Sequence, residues 1–118
     1  MTTNLDHILL VCTSCRGAKS AGTLTGALAQ SLPEGFVIRP VQCMAGCDYP
    51  TTIGFQAPGK TQYLFGGIST DEDLDAVLEF ADQYRCCPDG WTNATDRPRA
   101  LFTKTLSRMP WIQQEGAA

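Results

Sequence analysis

Along the chain, apolar positions follow two periods. Residues 7–11 (HILLV) are a run of branched apolar residues, the pattern of a short buried strand. From about Ser20 to Leu32 the apolar positions Ala21, Leu24, Leu28 and Leu32 fall at helical spacing, and Pro33 stops the helix. Gly22 and Gly26 weaken that helix, so close packing is expected on their face. Phe36-Val37-Ile38 followed by Val41 reads as a second strand, with Pro40 near its end. Thr51–Gln56 and Gln62–Phe65 read as a third and fourth strand, paired through a tight reversal at Ala57-Pro58-Gly59-Lys60. Thr70 is the expected N-cap of the clearest amphipathic helix, with Asp73 three residues on in a shortened capping box. Its apolar positions are Leu74, Val77, Leu78, Ala81 and Tyr84, and it ends before Pro88-Asp89-Gly90. Beyond Trp91, Pro98 suits the first turn of a short helix with Leu101, Phe102 and Leu106 on its apolar side. The final residues, QQEGAA, are expected to fray.

The order is therefore β-α-β-β-β-α with a C-terminal extension, an α/β fold. A β-α-β start requires a right-handed crossover and two parallel strands, and a hairpin followed by a helix completes a mixed sheet with helices packed on it. That outline resembles a thioredoxin-like domain. Residues 1–92 read as this domain and 93–118 as an extension packed on it.

Composition narrows the function classes. The chain has 118 residues, one domain's worth, of which 43% are hydrophobic and 18% charged. The net charge of −3 argues against a nucleic-acid binder that relies on a basic surface. The longest apolar run, Ile8 to Cys12, is far short of the ~20 residues that span a bilayer. The opening MTTNLDHILLVC has no basic n-region, so the expected location is cytoplasmic.

Six cysteines in a chain expected in a reducing compartment are the informative excess, since grouped thiols there point to metal or redox chemistry. They fall in three pairs: Cys12/Cys15, Cys43/Cys47 and the vicinal Cys86/Cys87. The first two pairs each sit at the carboxyl end of a strand of the β-α-β unit. If those strands are neighbours, four thiols meet at one sheet edge. Four thiolates hold a [2Fe–2S] cluster, a [4Fe–4S] cluster or a zinc ion, because iron in clusters and zinc both take soft, deprotonated ligands. Gly17 and Gly46 would let backbone N–H groups approach the sulfurs, and Arg16 and Lys19 would add positive charge. Spacing alone leaves iron–sulfur and zinc open. A third reading, a C-x-x-C thiol–disulfide oxidoreductase attacking through Cys12, leaves the second pair without a role and lacks the usual Trp-Cys-Gly-Pro-Cys surroundings.

The stretch VQCMAGCDYPTTIGFQAPGKTQYLFGGI resembles the second cluster loop and following hairpin of thioredoxin-like [2Fe–2S] ferredoxins. The chain is more similar still, over about residues 7–111, to a bacterial family of predicted metal-binding proteins of unknown function. The shared pattern is the VCTSCRG opening, the CMAGCDYP loop, the APGK turn and a C-terminal RP…RMP segment. The resemblance implies that Cys12, Cys15, Cys43 and Cys47 ligate a [2Fe–2S] cluster. It implies a small electron carrier without catalysis of its own, a redox partner protein, and a homodimer. The short C-x2-C departs from most thioredoxin-like ferredoxins, whose first two cysteines lie further apart. A structural zinc module with the same four ligands is the alternative.

The other residues draw plainer expectations. Cys86 and Cys87 read as free thiols, His7 as a half-exposed strand-start residue, and Trp91 and Trp111 as packing residues. Asp71, Glu72, Asp73, Asp75, Glu79 and Asp82 make an acidic helix face, and Arg97, Arg99, Lys104 and Arg108 a basic tail. Each is either a solvated face, a contact in a dimer or a docking surface for the redox partner.

Overall fold

The structure, a computed structural model, describes residues 7–12, 21–42 and 51–111. Two strands, β1 (His7–Cys12) and β2 (Phe36–Val41), run parallel and in register, from His7 against Phe36 to Cys12 against Val41. The helix α1 (Ala21–Ala29) lies between them in the chain. On the other flank of β1, β3 (Ile53–Gln56) runs antiparallel and turns through Pro58-Gly59 into β4 (Gln62–Phe65). A long helix, α2 (Asp71–Cys86), follows, and β5 (Thr105–Met109) returns antiparallel to β4. The sheet order is β2-β1-β3-β4-β5, so the expected β-α-β-β-β-α mixed sheet is present with one further strand at its edge. Pro40 sits inside β2, an outer strand, where a missing N–H is tolerated.

Both helices cover one face of the sheet. Leu28 of α1 belongs to the same buried cluster as Leu9 and Val11 of β1 and Val77 and Phe80 of α2. Its centre is aromatic: Phe55, Tyr63, Phe65, Phe80 and Tyr84 contribute one to two rings each from β3, β4 and α2. Phe80 meets Phe55 edge-on at 5.0 Å and Tyr63 at 4.9 Å between centroids. Such pairs contribute about 0.5–1.5 kcal/mol each beyond their buried area. The polar tips are satisfied, as the Tyr84 hydroxyl donates to the Thr61 carbonyl at 2.6 Å and the Tyr63 hydroxyl to that of Gly90 at 2.7 Å. Burial, with Tyr63 and Cys87 nearby, pushes the Tyr84 phenol above its ordinary range.

Three expectations are corrected. The segment after Pro98 is not a short helix: a 3₁₀ turn at Arg99–Leu101 leads into β5, which contains Leu106. The amides of Leu101, Phe102 and Lys104 bond three residues back, which is too tight for an α-helix to continue. Extended pairing from Thr105 onward supplies the ladder that the outer edge of β4 would otherwise lack. Leu101 is fully buried but Phe102 is exposed, so the helical spacing of the apolar residues was coincidental. Gly26 makes no close approach, since a Cβ there would meet nothing within 4 Å. Trp91 and Trp111 are exposed rather than packed in the core. Trp91 instead carries the Arg108 guanidinium 3.7 Å above its ring centroid. No helix among the described residues is long and apolar enough to cross a membrane.

Candidate metal centre

The β-α-β unit brings the carboxyl ends of β1 and β2 side by side. Cys12 is the last residue of β1 and is 1% exposed. Its thiol lies 3.8 Å from the carbonyl oxygen of Gln42, the residue immediately before Cys43. Its amide donates to the Thr52 carbonyl at 3.1 Å. Gln42 and Thr51–Thr52 are where residues 43–50 leave and rejoin the described chain. Cys12 thus touches both ends of the segment that carries Cys43 and Cys47. It also begins the segment that carries Cys15. Cys15, Cys43 and Cys47 themselves lie outside the described residues. Among the described residues no group of three or more His, Cys, Asp and Glu is gathered.

Thr51 and Thr52 are both buried at this edge, and Thr51 also accepts from the Ile68 amide at 3.1 Å. The Thr51 hydroxyl is buried without a hydrogen-bond partner among the described residues. The donor chemistry available here is therefore one buried thiol, the strand-end carbonyls and an unspent hydroxyl. Of these, the thiol alone is a soft donor of the kind that zinc and iron–sulfur clusters take.

The α2 N-terminus closes the same end of the sheet. Thr70 caps it, with the Thr70 hydroxyl accepting from the Asp73 amide at 3.1 Å and the Asp73 carboxylate accepting from the Ser69 and Thr70 amides. Lys104 reaches over from the C-terminal segment, donating to the Gly67 carbonyl at 2.7 Å and to Asp73 at 3.3 Å. Burial alone would raise the Asp73 pKa, but the two amides and the Lys104 ammonium outweigh it and hold the carboxyl below its ordinary value. A depressed folded-state pKa contributes stability above the ordinary carboxylate pKa and loses it as pH falls through the folded value. Stability is therefore expected to drop on acidification below the ordinary carboxylate pKa. Asp73→Asn should flatten that acid limb in urea titrations and cost about 1–2 kcal/mol at neutral pH.

Several charges expected on open faces are internal. Asp73 is buried in the first turn of α2, apart from the exposed Asp71, Glu72, Asp75, Glu79 and Asp82. Arg97 is buried against the Thr92 carbonyl, Arg108 bonds that same carbonyl, and Lys104 joins Asp73, which leaves only Arg99 of the basic tail exposed. These residues fasten the C-terminal segment to the sheet.

Cys86 and Cys87 belong to the other end of the molecule. The buried Lys60 ammonium donates to the Tyr84 carbonyl at 2.7 Å, to that of Arg85 at 3.2 Å and to His7 Nε2 at 2.8 Å. It thereby ties the α2 C-terminus to the start of β1, whereas Cys12 ends that strand. Five residue steps at ~3.3 Å put about 17 Å between His7 and Cys12. Cys86 is exposed, and Cys87 donates weakly to Asp89 at 3.5 Å. Lys60 was legible only as part of a turn, because nothing in Ala-Pro-Gly-Lys marks its ammonium for burial. Thr51 likewise read only as the start of a strand.

No curated protein and no solved structure matches the chain. One protein family does, over residues 9–111, from the middle of β1 to just past β5. With that span covering nearly all of the sequence, the chain belongs to the family described as protein of unknown function, DUF1636.

Proposed function

We propose that the protein is a small [2Fe–2S] electron-transfer protein of the thioredoxin-like ferredoxin kind, with Cys12, Cys15, Cys43 and Cys47 as ligands. The observation that carries this reading is the position of Cys12, buried between the two points where the Cys43/Cys47 segment meets the described fold. Cys43 follows Gln42 directly in the chain, and Cys15 follows Cys12 by three residues. The order β2-β1-β3-β4 with α1 and α2 on one face supports a thioredoxin-like arrangement in which two strand ends present one site.

When bound, the cluster supplies reversible one-electron exchange with a partner. The chain's own residues have simpler tasks. The parallel pairing of β1 with β2 fixes the first thiol against the second loop's entry. The Thr52 carbonyl holds the Cys12 amide, which sets the direction in which the chain leaves β1. Burial of Cys12 keeps water from its sulfur.

Anaerobic purification followed by visible absorption tests the reading. The expected result is a brown protein whose bands bleach on reduction and return on reoxidation. A colourless protein with one tightly held zinc would overturn it in favour of a structural zinc module. A colourless, metal-free protein that reduces insulin disulfides through Cys12 would overturn it in favour of a thiol–disulfide oxidoreductase.

A further inference from the structure

The sheet has two faces, and among the described residues the helices cover one of them. That face presents Leu9, Val11, Phe55, Tyr63 and Phe65 to α1 and α2. Strand register sets what the other face carries. Leu10, Gly54, Leu64 and Ser107 form one row across β1, β3, β4 and β5. Ile8, Gln56, Gln62 and Met109 form the next. Neither row holds a charged residue. Ile8, Leu10 and Leu64 are half-buried, Met109 and Trp111 are each 55% exposed, and Trp111 lies beside Ile8, Gln56 and Gln62. A strand with one wet face alternates apolar and polar residues. β1 does not, since Ile8 and Leu10 are as apolar as Leu9 and Val11, which is the composition of a strand covered on both sides.

We infer that a second copy of the chain docks on this bare face, sheet against sheet about 10 Å apart, as a two-fold dimer with the helices outermost. The inference is independent of what the cysteines hold. Charge selects a second copy over a partner of another kind. Complementary charge guides transient partners, and these rows offer none; lasting interfaces between identical chains are the more apolar class. The exposed acids Asp71, Glu72, Asp75, Glu79 and Asp82 all lie on α2, across the sheet from these rows. Two chains of net charge −3 can therefore meet here without bringing those acids together. The polar positions suit self-association as well. Gln56 and Gln62 carry amides that both donate and accept, so each can bond a counterpart across a two-fold axis. The area suffices too. The chain exposes 7004 Å², and a standard interface takes about 800 Å² from each partner, a share that one broad face of a two-layer domain supplies.

Sedimentation equilibrium on the full chain, purified without oxygen, tests the inference. The unaltered protein should show twice the 12.8 kDa chain mass. Met109→Glu and Trp111→Glu should each raise the dimer dissociation constant about a hundredfold, roughly tenfold from each of the two copies that carry the charge. Both side chains are more than half exposed in the single chain, so circular dichroism should show the sheet and helices unchanged. Phe102→Glu is the control, at an exposed position next to the turn that lies against α2, and should leave the dissociation constant unaltered. A monomeric unaltered protein would overturn the inference and leave the face to a different partner. A dimer that persists with an unchanged constant in both Met109→Glu and Trp111→Glu would overturn it, because the chains would then meet elsewhere. So would a dimer that Phe102→Glu weakens as much as they do.

Discussion

Cys12→Ser is expected to abolish stable metal loading, while Cys86→Ser and Cys87→Ser leave it intact. Serine is nearly isosteric with cysteine, so the change removes a soft ligand and little else. Its position makes Cys12 the most demanding of the four candidates. It ends a strand held between two others, with its amide bonded to Thr52 and its thiol against Gln42. Because ligation free energy is folding free energy in a small metalloprotein, the loss should also appear as a lower melting temperature. The unaltered protein stripped of metal should match the variant within about 1–2 kcal/mol. The vicinal pair serves as an internal control. Cys86 is the last residue of α2 and Cys87 follows it, at the end that Lys60 ties to His7, about a strand's length from Cys12. Metal content by elemental analysis of the three variants checks the prediction.

Gly90→Ala should be the most destabilising single methyl in the described fold, at about 2–5 kcal/mol. Two penalties combine. Gly90 has φ +73°, a left-handed conformation that costs a residue with a Cβ about 1–2 kcal/mol. A Cβ there would also lie 2.8 Å from Cε1 of Tyr84 and 3.0 Å from the Thr61 amide nitrogen. Neither neighbour can yield cheaply. The Tyr84 ring is fully buried among Phe55, Phe80 and Tyr63, and its hydroxyl is fixed to Thr61. The Thr61 amide is itself bonded to the Asp89 carbonyl at 2.9 Å. Overpacking in such surroundings adds about 1–3 kcal/mol. Gly26→Ala, at an exposed helical position with open space around it, is the contrasting substitution and should not destabilise. Urea unfolding of both variants measures the difference.

How far the sequence could be read depended on whether a residue's role was local. The two parallel strands, the hairpin and α2 were legible because runs such as HILLV and the Leu74–Tyr84 stripe carry their period within a few residues. The Thr70–Asp73 capping box was legible for the same reason, as its partners are three residues apart. β5 was not. Its pairing with β4 joins residues forty or more positions apart, and Leu101, Phe102 and Leu106 happen to mimic a helical face. The burial of Lys60 and Arg97 was also hidden, since each depends on carbonyls supplied by another segment. At the candidate site, the pairing of cysteines with strand ends could be read from spacing. The neighbourhood of β1 and β2 needed the structure.

The central claim is that sulfurs from two separate loops serve one inorganic centre. The most direct measurement is the metal content of the Cys43→Ser/Cys47→Ser double variant, purified without oxygen and shown by circular dichroism to keep its sheet and helices. The account predicts no bound iron or zinc, although Cys12 and Cys15 are untouched. Retention of a full complement of metal by the first pair alone would contradict it.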